Sequence, residues 1–208
     1  MKIAVFGGSG GTGCKMIEQA LEMGMEVRAL LRTPGKLTIR DKMLEVIEGS
    51  ALDASVVSDT IRGTQAVFSA LGTDSLGKTT IYSDSISRII PGMAEHNVKR
   101  IICVGAVGME PGRSTNMPLV ARLVVNLLLK HTLRDMYAMQ QQLEETDLSW
   151  TMMWPPRLND GPLTGLYRVV ADQALKKGSV ISRADLAHYI VHHVDDAECF
   201  KSRVAIAY

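Results

Sequence analysis

Seven residues near the start of the chain, Gly7-Gly8-Ser9-Gly10-Gly11-Thr12-Gly13, have the composition of a phosphate cradle. Glycine permits a tight turn and lets backbone N–H groups approach a pyrophosphate with no side chain between. The run lies between an apolar strand pattern, Ile3-Ala4-Val5-Phe6, and a helical pattern from Thr12 to Met23. A helix that starts there aims free N–H groups and a partial positive charge at an anion. An NAD site then carries an Asp or Glu roughly 20 residues beyond the glycines to hold the ribose hydroxyls. Here the second apolar run, 27–31, ends in Arg32 and Thr33 with Lys36 following, while Glu26 stands at its wrong end. Arg32 as a fork and Lys36 as a point charge suit a 2′-phosphate. The expected cofactor is NADP(H).

Other reactive residue types give weaker signals. His188 and His192 stand one helical turn apart, a spacing that can ligate zinc. No Glu follows as in HExxH and no third ligand is evident, so a solvated helix face is expected and no metal. Cys14, Cys103 and Cys199 are odd in number, widely spaced and free of CxxC pairing. They suit a reducing compartment and offer no disulfide framework.

The elements that must position these residues alternate regularly. Apolar runs at 3–6, 27–31, 44–47, 66–70, 100–104 and 148–153 read as strands, and helical patterns fit 12–23, 55–62 and 81–97. Gly24 ends the first helix, Pro91 is expected to kink or divide the third, and Ser182 caps a later one. Residues 117–130 are apolar apart from a stripe of Arg122, Asn126 and Lys130, and read as a core or lid helix. Such alternation implies right-handed crossovers and a parallel sheet covered on both faces, a doubly wound three-layer α/β/α sandwich. The 208 residues fit one domain, 1–208, with a small C-terminal region on the substrate side. Lys and Arg total 23 against 22 Asp and Glu, so no basic excess exists to neutralise a nucleic-acid backbone. The opening MKIAVFGG is a strand running into glycines rather than a signal peptide, and no apolar stretch reaches the ~18 residues of a membrane span. A cytoplasmic protein, monomeric or a small homo-oligomer, is expected.

The chain resembles the NmrA-like, atypical short-chain dehydrogenase/reductases, and within them the flavin reductase/biliverdin-IXβ reductase group. The resemblance rests on KIAVFGGSGGTG with its GxxGxxG spacing, RTPGKL, ALGT, PPRLNDGPLTGLY and ISRADLA. It implies a Rossmann-type fold in which Gly7, Ser9, Gly10, Gly11, Thr12 and Gly13 form the pyrophosphate turn. Arg32 and Lys36 would take the adenosine phosphate, and Leu71, Gly72 and Thr73 the adenosine and ribose side. Ser50 and Ala51 would stand near the adenine, where the group usually has Gly-Asp. Trp154 and Arg157 would fall at the wall of the nicotinamide pocket, with Ala106 and Pro155 also contacting the cofactor.

Two departures bear on the chemistry. Short-chain reductases commonly pair Tyr with Lys four residues on, so that the lysine lowers the phenol pKa. Tyr137 is followed instead by Gln141, and Gly105-Ala106-Val107 replaces the usual serine region. Tyr137 and Arg157 are the remaining catalytic candidates. Carbonyl reduction generates an alkoxide that needs a positioned acid, whereas flavin reduction relies mainly on stacking and proximity. The expected function is therefore NADPH-dependent hydride transfer to FMN, FAD or a similar planar acceptor. The alternative is an NADP-binding redox sensor or assembly factor without turnover; nucleotide-sugar epimerisation is disfavoured by the missing Tyr/Lys pair.

Overall fold

The computed structural model describes residues 1–110, 127–173, 175 and 177–208. The strands are β1 (Lys2–Phe6), β2 (Glu26–Leu31), β3 (Leu44–Glu48), β4 (Ala66–Ser69), β5 (Arg100–Val104), β6 (Ser149–Trp154), β7 (Arg157–Asn159), β8 (Arg168–Ala171), β9 (Val180–Ser182) and β10 (Ser202–Ala207). The helices are α1 (Gly11–Glu22), α2 (Ala54–Ile61), α3 (Ile81–Glu95), α4 (Lys130–Glu144) and α5 (Arg183–His192). Of the apolar segment 117–130, residues 117–126 lie outside the described residues, including Arg122 and Asn126.

Eight strands form one sheet in the order β3-β2-β1-β4-β5-β6-β10-β8, and β7 pairs with β9 in a small second sheet. Every neighbour in the large sheet is parallel except β10 with β8. The order reverses between β1 and β4, which is the switch point of a doubly wound fold. Alternation along β1 divides the core: Ile3 and Val5 face α1 and α5, while Ala4 and Phe6 face α2, α3 and α4. This is the expected three-layer α/β/α sandwich, extended by strands that the sequence pattern does not reveal. Pro91 lies inside α3, which continues unbroken to Glu95. Its exposed side of the helix accommodates the missing N–H, so the expected division does not occur.

Two buried polar side chains join distant elements. Arg100 donates to the carbonyls of Val194 (2.6 Å) and Ser149 (2.7 Å) and to Thr151 Oγ1 (2.8 Å), tying the starts of β5 and β6 to the end of α5. Burial among neutral acceptors lowers its pKa to about 10, so it remains charged at neutral pH. Asp135 on α4 caps α3 from outside, accepting from Tyr82 N–H (3.0 Å), Ser83 N–H (3.1 Å) and the Ser83 hydroxyl. The N-cap residue Thr80 makes no such bond itself. A carboxylate at a helix N-terminus meets both the orphan donors and the dipole. Asp135→Ala should therefore destabilise the fold by about 2 kcal/mol, a cap loss at a buried site. Urea unfolding measures it, and an unchanged midpoint would contradict the assignment.

Candidate functional site

A groove of about 590 Å³ crosses the carboxyl ends of β2, β1, β4 and β5, spanning the strand reversal. Open α/β sheets bind ligands in this crevice, and the volume falls in the range of small-molecule sites. The glycine turn forms its middle. Gly10 is the N-cap of α1, and no side chain caps that helix, unlike α2 and α5, which Asp53 and Ser182 cap. Cys14 N–H makes the first helical bond, to the Gly10 carbonyl at 2.8 Å. The preceding N–H groups are left to an anion, and no acid stands in the first turn to compete. The turn has no room for side chains beneath it. Gly7 takes φ +84°, and a Cβ on Gly13 would strike the Gly7 carbonyl.

Of the residues assigned from the sequence, Gly7, Ser9, Gly10, Gly11, Thr12, Arg32, Lys36, Ser50, Ala51, Leu71, Gly72 and Thr73 line this groove. Gly13 lies underneath, buried in α1. Arg32 and Lys36 are exposed at the rim and have no carboxylate partner among the described residues. Asp53, three residues beyond Ser50, is committed to Ser55 and Val56 as the cap of α2. Those hydrogen bonds lower its pKa.

The expected nicotinamide wall differs. Trp154 is 3 % exposed and donates its indole N–H to Gln140 Oε1 at 3.2 Å. It packs with the α3–α4 face of the core and is not among the groove's lining residues. Pro155 is buried beside it and accepts from Val107 N–H at 3.0 Å, with Ala106 half-buried in the same turn. Tyr137 and Arg157 also fall outside the lining, which takes their neighbours Met136 and Leu158 instead. Adjacent residues on a helix or strand point in different directions, so these segments reach the groove through Met136 and Leu158. The lining at this end is apolar: Val104, Gly105, Met136 and Leu158.

Two further lining residues, Tyr82 and Arg183, carry no local sequence signal. Burial raises the Tyr82 phenol pKa, partly offset by a hydrogen bond with the Thr73 backbone, so it stays protonated at neutral pH. Arg183 reaches the glycine turn from α5, where its neighbour Asp185 organises the loop after β7. The Asp185 carboxylate accepts from Thr164 N–H (2.9 Å), Gly165 N–H (2.8 Å), the Thr164 hydroxyl (2.8 Å) and the Tyr208 hydroxyl (2.6 Å). The histidines on the same helix serve other contacts. His188 stacks on His192 at 4.0 Å and bonds the Tyr167 hydroxyl through Nδ1 at 2.7 Å. Among the described residues, no group of three metal-ligating side chains gathers.

A family model described as NAD(P)H-binding matches residues 7–197, nearly the whole chain. The chain belongs to this NAD(P)H-binding family. An oxidoreductase of Pestalotiopsis microspora is 27% identical over 94% of this chain and 80% of its own length. YwnB of Bacillus subtilis, an uncharacterised protein, is 24% identical over 99% of this chain and 98% of its own. Among solved structures, a Veillonella parvula short-chain dehydrogenase/reductase in complex with NADP superposes with a TM-score of 0.81 at 16% identity, covering 100% of this chain and 94% of that one. ChuY, an anaerobillin reductase of Escherichia coli O157:H7, gives 0.80 at 23% identity, covering 100% and 97%. These structures share the fold. NAD(P)H fits the groove on its own evidence: an uncapped helix terminus, a turn with no side chain in the way, and a cationic rim. No helix among the described residues is long and apolar enough to cross a membrane.

The Asp185 cluster generates a pH prediction. Desolvation raises its pKa, but the bonds from Tyr208, Gly165 and Thr164 outweigh it, and the net shift is downward. A depressed folded-state pKa stabilises the fold fully above the unfolded value of ~3.9 and loses that contribution as pH falls through the folded value. Asp185→Asn should be less stable at pH 7 by about 2–3 kcal/mol, because its amide turns donors toward donors. Urea titrations should find this gap narrowing below pH 4; a pH-independent gap would contradict the charge-based account.

Proposed function

We propose that this chain is an NADPH-dependent reductase whose acceptor is a flat conjugated molecule such as FMN or FAD. The observation that carries the reading is the polarity gradient along one groove. Arg32 and Lys36 stand at the β2 end, bare helical N–H groups occupy the middle, and an apolar floor lies at the β5 end. The two cations would hold the adenosine 2′-phosphate, with Ser50 and Ala51 near the adenine. The α1 N-terminus would hold the pyrophosphate. Bound NADPH would supply a hydride at the apolar end.

The chain's own contribution there is position and exclusion of water. Val104, Gly105, Met136 and Leu158 offer uncharged surface against which flat rings can stack. Tyr137 lies off the lining, and Gln141 stands four residues on in place of a lysine. Tyr82 keeps its proton and its oxygen is engaged by Thr73. A site of this kind favours an acceptor whose reduction needs no strong positioned acid. The oxidoreductase among the relatives and the reductase role of ChuY support redox chemistry as the class.

Two experiments test the reading. NADPH should bind at least tenfold more tightly than NADH, about 1.4 kcal/mol, and Arg32→Glu should reverse the order. Equal affinities in calorimetric titration would remove the 2′-phosphate assignment. In steady-state assays with FMN, Tyr137→Phe and Tyr82→Phe should each change kcat/KM less than tenfold, since losing a general acid normally costs ~100-fold or more. A larger loss at unchanged stability would restore a phenolic proton donor and reopen carbonyl reduction. NADPH binding without turnover of any flavin, quinone or aldehyde would make the chain a nucleotide sensor.

A further inference from the structure

The geometry points to Arg183 as a clamp on the dinucleotide pyrophosphate, held ready by an exposed carboxylate that the phosphate would displace. This rests on the NAD(P)H reading above and extends it to a residue 172 positions from the glycine it overlies. Arg183 opens α5, immediately after the N-cap Ser182. Its side chain runs across the start of α1: Cδ and Nε lie 2.6 and 2.8 Å from where a Cβ on Gly11 would stand. Gly11 is an ordinary helical residue without positive φ, so the turn itself does not require glycine there. Arg183 occupies the space a Cβ would take, so a side chain at position 11 would push the guanidinium aside. The arginine thus reaches the groove beside the N–H groups that no protein acceptor satisfies.

Its present partner is weakly held. Arg183 Nη1 donates to Asp160 Oδ1 at 2.7 Å, but the Asp160 side chain is 87% exposed, and the other guanidinium nitrogens have no partner among the described residues. An exposed single-pronged ion pair contributes little, whereas a guanidinium fork on a phosphate is among the stronger charge-assisted contacts. Exchange of Asp160 for phosphate would engage donors now unused. It would also release Asp160 from α5, while Asp185 on the same helical turn keeps Thr164 and Gly165 in place. Arg183 would therefore read the diphosphate and report its presence to the loop after β7.

Calorimetric titration of the intact chain with NADP⁺ and with adenosine 2′-phosphate separates the possibilities. The second probe keeps the group assigned to Arg32 and Lys36 but has no pyrophosphate. Arg183→Ala should weaken NADP⁺ at least tenfold while leaving adenosine 2′-phosphate within twofold, and Arg183→Lys should fall between. Asp160→Asn should act in the opposite direction, tightening NADP⁺ twofold or more. Gly11→Ala, which puts a methyl group in the path of Arg183, should reproduce part of the Arg183→Ala loss. Wild-type binding with no effect of Arg183→Ala would overturn the clamp and leave the proposed function standing. Equal weakening by Arg183→Ala and Asp160→Asn, or equal loss of both probes, would reduce the pair to a structural latch and also overturn it. Failure of the wild-type protein to bind NADP⁺ would overturn the proposed function itself, and the clamp with it.

Discussion

The crevice depends on how closely α1 can settle against the end of β1. Gly13 presents no Cβ to the Gly7 carbonyl, and Gly7 adopts a backbone conformation that side chains resist. Those two backbone requirements bring the helix N-terminus to the carboxyl edge of the sheet with its first N–H groups uncovered. Any added atom would lift the helix and close the seat it forms. The cationic rim and the apolar floor are useful only because this middle section is bare. They lie on either side of it, toward the ends of β2 and β5, which the sheet holds apart with β1 and β4 between them.

A second centre organises the opposite wall. One turn of α5, from Ser182 to Asp185, caps its own helix, reaches over α1 through Arg183 and gathers the 162–165 loop through Asp185. Ser182 Oγ accepts from Asp185 N–H at 2.9 Å and donates to the Pro162 carbonyl at 3.1 Å. Gln19 on α1 donates to the Ala184 carbonyl at 2.9 Å, fixing the two helices side by side. Asp135 performs a comparable service on the other face, where capping α3 also sets Tyr82 at the groove wall. The glycine turn is local in sequence; the walls around it are assembled from long-range polar contacts.

That distinction explains what could be read from the chain. The glycine turn, Arg32 and Lys36 follow directly from a strand–turn–helix order, because each is positioned by its immediate neighbours. Leu71 to Thr73 come from the resemblance, and they line the groove just beyond the end of β4. Trp154 was legible as the end of a strand but not as a core residue, since its burial depends on Gln140 from α4. Tyr137 and Arg157 lie in segments that do reach the groove, one position away from the residues that face it. Arg183 was visible only as part of a motif, and nothing in its local pattern says that it crosses Gly11. β7 and β9 are three residues each and β8 is mostly exposed, so their apolar signal is too weak to compete with loops.

The late strands also impose an order on assembly. Among the described residues, β8 enters the large sheet solely by pairing with β10, and β10 is inserted between β6 and β8. A chain emerging from the ribosome can build β1 through β6 and their helices while β8 has no neighbour to join. The half that carries the glycine turn is then formed early, and the wall bearing Asp185 is locked only when residues 202–207 arrive. Because Tyr208 bonds Asp185, the segment that closes the sheet also reaches into the loop beside the crevice. The glycine turn is therefore in place before the loop that faces it is fixed.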